Sequence, residues 1–196
     1  MYKGKKRLDI PNSDITYFPN FIDPNSSIRF FEILKESIPW RQDDIKLFGK
    51  THAQPRLTAF FSINEKPYSY SNITMRPHRF TNELLDLKHR IETETNIEFT
   101  SCLLNLYRNG KDSNGWHADD EKELGKNPTI ASLSLGQERI FHFKHKKDKK
   151  LKHKITLENG SLLLMKGETQ HHWLHQIPKT AKPITERINL TFRVIK

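Results

Sequence analysis

Apolar residues recur along the first half of the chain at a spacing of three and four, and along the second half at a spacing of two. The segment FIDPNSSIRFFEILKESI predicts a helix capped by Asp23 or Asn25, with Ile28, Phe31 and Leu34 along its buried face. A second helix is predicted in FTNELLDLKHRIETET, starting from Thr81 as cap and burying Leu84, Leu87 and Ile91. From about residue 99 the pattern changes to short β-like runs separated by turns: FTSCLLNLYR, TIASLSLG, RIFHFKHK, KITLENG with GSLLLMKG, and RINLTFRVI. Short strands with no helical pattern between them predict a β-sandwich or barrel, not an alternating α/β sheet. No repeat or Ser/Gly/Pro linker divides the chain, so its 196 residues are read as one domain.

Charge adds a partner to this picture. Lys and Arg number 33 against 23 Asp and Glu, a formal charge of +10 that favours a polyanion, nucleic acid first. The densest basic piece, KHKKDKKLKHK at 144–154, is too charged for core and reads as a basic loop or hairpin tip. Cys102 is the single cysteine, which excludes an internal disulfide and points to a reducing compartment. No stretch approaches the roughly 20 apolar residues of a membrane span, and the N-terminus lacks the apolar core of a signal peptide. The expectation is a soluble intracellular protein, cytoplasmic or, in a eukaryote, nuclear, and monomeric.

Against that basic background the acidic stretch NGWHADDE stands out. In an extended segment, residues two apart project to the same side, so His117 and Asp119 offer an imidazole and a carboxylate to one point. With one more histidine they form the two-His-one-carboxylate facial triad of non-haem Fe(II) oxygenases. The third ligand is sought in TQHHWLHQIPK, where His175 is preferred and His171 and His172 stay open. The last strand supplies a handle for a cosubstrate. Arg187, Asn189, Thr191 and Arg193 share one face, and Ile188, Leu190, Phe192 and Val194 the other. Two arginines lining a cleft are costly unless they meet anions, and their forked donors match a dicarboxylate. In CLLNLYRNG, Asn105 and Tyr107 share a face and can complete such a pocket by hydrogen bonds.

Together these pieces resemble the AlkB family of Fe(II)- and 2-oxoglutarate-dependent dioxygenases. From Gln54 onward the likeness is specific. NLYRNGKDSNGWHADDE is similar to the family's Asn-x-Tyr stretch leading into His-x-Asp. WLHQIPK resembles the segment with the distal iron ligand, which places it at His175. ERINLTFR resembles the Arg-x-Asn…Arg signature, and QPRLTAFF, YSYSNITM and ASLSLG resemble nucleic-acid repair members. The resemblance implies a mainly β fold with flanking helices around a double-stranded β-helix (jelly-roll, cupin-like) core. Residues 1–98 would form an N-terminal extension with nucleotide-recognition elements and two helices, and 99–196 the catalytic core. It also implies Fe(II) on His117, Asp119 and His175, 2-oxoglutarate on Asn105, Tyr107, Arg187, Asn189 and Arg193, and O₂ as oxidant.

The implied activity is oxidative demethylation of bases such as 1-methyladenine and 3-methylcytosine in DNA, releasing formaldehyde, succinate and CO₂. For the substrate, Glu121 is the expected reader of the cationic alkylated base, and Asp120 the orienter of a neighbour such as Arg56. Tyr68 and Tyr70 are expected to stack on a flipped base, and Phe48 to fill the gap it leaves. The partner is DNA, single- or double-stranded, with RNA as an open alternative. A non-enzymatic nucleic-acid-binding module holding zinc is the competing class. It fits poorly, because structural zinc sites take four ligands and commonly several cysteines.

Overall fold

The computed structural model describes residues 4–47, 50–64, 68–70 and 73–195. The elements follow in order as β1 (Lys6–Arg7), β2 (Asp14–Phe18), α1 (Pro24–Ser37), β3 (Asp44–Leu47), β4 (Lys50–Ala53), β5 (Leu57–Ser62), β6 (Tyr68–Tyr70), β7 (Ile73–Met75) and α2 (Asn82–Thr95). The second half continues with β8 (Ser101–Tyr107), β9 (Asn114–His117), β10 (Ile130–Gly136), β11 (Arg139–His145), β12 (Lys152–Leu157), β13 (Leu162–Lys166), α3 (Thr169–His172), β14 (Trp173–Ile177) and β15 (Arg187–Arg193).

Both expected long helices form where their caps predict. The Asp23 carboxylate accepts from the Ser26 amide at 3.0 Å with Pro24 opening the first turn, and the Thr81 hydroxyl accepts from Leu84. α2 buries Leu84, Leu87 and Ile91 as read. α1 is rotated from the expected face. Ser27, Phe30 and Leu34 are buried, Phe31 is partly covered, and Ile28 is 58% exposed. The Phe30–Phe31 pair leaves the apolar stripe ambiguous by one position, and the Ser27 hydroxyl is taken inward by a bond to the Ile22 carbonyl.

Two antiparallel sheets face each other. One has seven strands in the order β1-β2-β13-β10-β15-β8-β5; the other has four, in the order β12-β11-β14-β9. The helices cover the outer face of the larger sheet, where Leu34, Leu84 and Ile91 join Leu104, Leu133 and Leu190 in one apolar cluster. A second cluster, with Phe60, Leu103, Phe141, Phe143 and Ile177, fills the space between the sheets. Strands β8 and β15 are therefore buried at every position, as expected for strands covered on both faces.

The larger sheet also takes β1, β2 and β5 from before residue 99, strands that the apolar pattern did not announce. The KITLENG and GSLLLMKG runs belong to different sheets, β12 and β13, and do not pair with each other. Between them the chain turns at Gly160, whose φ is +71° and whose absent Cβ would strike the Ile22 carbonyl oxygen. The basic 144–154 segment is a hairpin whose ends are strand, β11 running to His145 and β12 starting at Lys152. No helix among the described residues is long and apolar enough to cross a membrane.

Candidate active site

The pleat of two neighbouring strands sets out the polar floor of the cleft between the sheets. In the β15–β8 register, Arg187 lies opposite Tyr107, Asn189 opposite Asn105, and Thr191 opposite Leu103. All of these line one cavity, while Ile188, Leu190 and Phe192 enter the helix-side core. The alternation read from the sequence thus holds. β15 is a central strand, hydrogen-bonded to β10 and β8, so its polar face meets the cleft and not solvent.

Across the cleft, β9 and β14 pair with His117 directly opposite His175. Their ring centroids are 4.2 Å apart. Asp119 follows β9, and its Oδ2 lies 3.5 Å from Nε2 of His175. One ligand atom from each of His117, Asp119 and His175 falls within 4.8 Å of the others, the only such cluster of three among the described residues. His171 instead sits at the surface, 2.7 Å from the Asn127 side-chain oxygen, and His172 lies against Glu168.

Burial and the neighbouring His175 hold the His117 imidazole well below its ordinary value, so it remains a neutral donor. Burial alone would push Asp119 upward. The Arg193 guanidinium, with Nη2 2.5 Å from Oδ1, and then the two histidines outweigh it and keep the carboxylate ionised far below the usual range. Arg187 is 1% exposed, donates Nη2 to Ser134 Oγ at 2.9 Å, and packs over the Tyr107 ring at 5.3 Å. Its Nε and Nη1 have no hydrogen-bond acceptor. Burial, with Arg139 adding like charge, pushes this guanidinium down to about 10.

These residues fit a metal ion and a dicarboxylate. Two imidazoles and an ionised carboxylate on one side suit a divalent ion. Beside them, a buried cation with unused donors suits a carboxylate.

Other side chains at the site act through their neighbours. The Asp119 amide donates to Oε1 of Gln170 at 2.9 Å, and Gln170, on the short α3, is fully buried. Arg56 donates Nε to the Asn105 oxygen at 2.7 Å and Nη1 to the Ser113 carbonyl. Arg139 donates to the Asp112 and Pro178 carbonyls and stacks on Tyr107 at 5.6 Å. Asn189 gives its amide nitrogen to Ser132 and Leu133 of β10. Gln170, Arg139 and Ser134 were not read from the sequence. Of these only Ser134 carries a local signal, sharing the alternating face of TIASLSLG with Ser132.

The expected pairing of Asp120 with Arg56 does not form. Asp120 Oδ2 accepts from Lys146 at 2.9 Å, because the basic hairpin brings that ammonium to it, while Arg56 is committed to Asn105. Glu121 begins the 3₁₀ turn Lys122–Leu124 that follows the ligand segment. Tyr68 and Tyr70 lie two apart in β6, which pairs with β7, and their side chains lie outside the described residues. Phe48 also lies outside the described residues.

Residues 14–193 match the family described as the 2OG-Fe(II) oxygenase superfamily. The chain belongs to that superfamily, within its AlkB group. It is 43% identical to the alpha-ketoglutarate-dependent dioxygenase alkB homolog 3 of Bos taurus, over 93% of this chain and 66% of that protein. The Homo sapiens protein of the same name is 42% identical with the same coverage. The DNA oxidative demethylase ALKBH2 of Arabidopsis thaliana is 38% identical over 98% of this chain and 70% of its own length. The chain thus spans just under two thirds of the alkB homolog 3 proteins.

A solved structure titled "The structure of OsALKBH1" shares the fold, with a TM-score of 0.61 at 18% identity, covering 96% of this chain and 100% of that one. The superfamily match reaches upstream of Gln54 to Asp14, because β2 is an integral strand of the larger sheet.

Proposed function

We propose that this AlkB-group chain oxidatively dealkylates N-alkylated bases in DNA, such as 1-methyladenine and 3-methylcytosine. Fe(II) would be held by His117, Asp119 and His175, and 2-oxoglutarate by Arg187 and Arg193 with Asn105, Tyr107 and Asn189. One observation carries the reading: a buried arginine with unused donors stands in the same cleft as the His-Asp-His cluster. The substrate class rests on the names of relatives called DNA oxidative demethylases.

Iron, 2-oxoglutarate and O₂ together supply oxidation of the N-alkyl carbon, with succinate, CO₂ and finally formaldehyde released. The chain's own part is placement. Arg193 keeps Asp119 ionised, and Gln170 fixes the backbone that carries it. Arg56 occupies the Asn105 oxygen, which leaves that amide's nitrogen as the group for donation. Arg139 and Arg187 both pack against the Tyr107 ring and so help position it. The apolar cluster between the sheets keeps bulk water from the cleft floor, which strengthens each of these charge interactions.

Toward the substrate, Glu121 favours the positive charge of an N-alkylated base, Tyr68 and Tyr70 stack on it, and Phe48 fills the vacated stack. The enzyme works as a monomer where DNA is found, the nucleus in a eukaryote. The test is mass spectrometry of methylated DNA and RNA oligonucleotides incubated with protein, Fe(II) and 2-oxoglutarate. Loss of 14 mass units per methylated base, dependent on both additions, is the expected result (about the mass of CH₂ replaced by nothing, as dealkylation requires). An unchanged mass on every DNA substrate overturns the reading.

A further inference from the structure

The four-stranded sheet has a second face, turned away from the cleft. His117 of β9 points inward, so its neighbour Trp116 points outward, and it is 38% exposed. Lys144 of β11 lies over the Trp116 ring with its ammonium 4.4 Å from the centroid, and the His142 ring is 6.5 Å away. Directly across the β11–β12 ladder, Lys152 faces Lys144 and Lys154 faces His142. These five side chains border an open trough of about 580 Å³. No carboxylate pairs with Lys144, Lys152 or Lys154 among the described residues.

An exposed indole, an adjacent imidazole and three uncompensated ammonium groups on one shallow surface suit one kind of occupant. Protein partners with apolar faces would have to desolvate the lysines. A duplex would present phosphates to them but no free base to the rings. A single-stranded polynucleotide satisfies both, bases stacking on the rings while phosphates meet the lysines. We infer that the outer face of this sheet is a single-strand nucleic-acid platform centred on Trp116. The inference rests on the proposed action on DNA.

The platform is continuous with the cleft. β9 is the edge strand of its sheet, so the side carrying His117 and the side carrying Trp116 meet along the edge of that one strand. A strand with one nucleotide in the cleft meets Trp116 by crossing that edge. Affinity for single strands therefore grows with length beyond what the cleft itself contacts.

Two probes separate this idea from the demethylation reading: unmodified oligothymidylate of about 20 nucleotides, and a methylated oligonucleotide of about 4, lengths that bracket common single-strand site sizes. Trp116 is the most exposed of the three tryptophans, since Trp173 is buried and Trp40 partly so. The longer probe should quench intrinsic fluorescence. Trp116→Ala should weaken its binding about 5- to 150-fold, the range for one lost stack. A Lys152→Ala/Lys154→Ala variant should lower the salt slope of log K by about 1.4, at about 0.7 per phosphate contact. Both variants should turn over the short methylated substrate at the wild-type rate.

Wild-type affinity for the long probe in both variants overturns the platform, as does an equal loss by Trp116→Ala on single strand and duplex. A wild-type protein that binds the long probe through Trp116 but never demethylates the short one overturns the proposed reaction and leaves the platform standing.

Discussion

Replacing Arg187 by Met separates what this residue does for the fold from what it does for a ligand. Arg187 is buried, donates Nη2 to Ser134, packs over the Tyr107 ring, and leaves Nε and Nη1 without acceptors. Removing a buried charge of this kind in favour of an apolar side chain of similar size is neutral or stabilising by about 1–4 kcal/mol. For a chain of this length each kcal/mol moves Tm by about 2–4 °C, so the ligand-free variant should melt at or above the wild-type temperature. Its affinity for 2-oxoglutarate should collapse, because truncating one partner of a buried, hydrogen-bonded charge pair costs about 2–5 kcal/mol. At 1.4 kcal/mol per decade this is a rise in Kd of about 30- to 4,000-fold.

The assay is thermal unfolding with and without 2-oxoglutarate, with Mn(II) in place of Fe(II), together with KM for 2-oxoglutarate. Wild type gains Tm with the ligand, since a ligand that binds only the folded state stabilises it by mass action. The variant should not. A variant that melts lower without ligand and still gains the full ligand-induced shift refutes the reasoning, because Arg187 would then serve the fold and not the carboxylate.

Single replacements His117→Ala, Asp119→Ala and His175→Ala should each abolish turnover with circular dichroism unchanged, whereas His171→Ala and His172→Ala should keep it. Gln170→Leu should weaken metal affinity about 10- to 100-fold, read by Mn(II) titration, because the Asp119 amide loses its acceptor. Phe48→Ala should slow demethylation of a methylated duplex and spare the single strand, since only the duplex requires a filled gap after extrusion. Gly160→Ala should lower Tm by several degrees, as its positive φ and the nearby Ile22 carbonyl leave no room for a Cβ. A Tm within a degree of wild type would place that turn under no constraint.

The parts legible in the sequence were those set by local periodicity or fixed spacing. β15 shows its two faces by strict alternation, and α2 shows its buried stripe through three apolar residues at helical intervals. His117 and Asp119 need only an extended backbone to converge. What escaped depended on contacts distant in sequence. Gln170 reaches Asp119 across 51 positions, and Arg139 reaches Pro178 across 39. Neither has a local pattern that distinguishes it from a surface residue. Asp120 was assigned the wrong partner because only the folded hairpin brings Lys146 beside it. β2 was missed because an isolated five-residue strand such as DITYF gains its meaning from the β13 edge it pairs with.

The central position of β15 has a consequence for motion. It is bonded along both edges and covered on both faces, so its amides exchange with solvent only when the whole domain opens. Deuterium uptake at Asn189–Phe192 should therefore be among the slowest in the molecule and should follow global stability under mild denaturant. Arg187 and Arg193 stand on a segment that cannot fray by itself, and the lifetime of their geometry is the lifetime of the fold. Leu190 and Phe192 anchor the same strand into the helix-side core, so trimming either one shifts the pocket floor as it loosens that core.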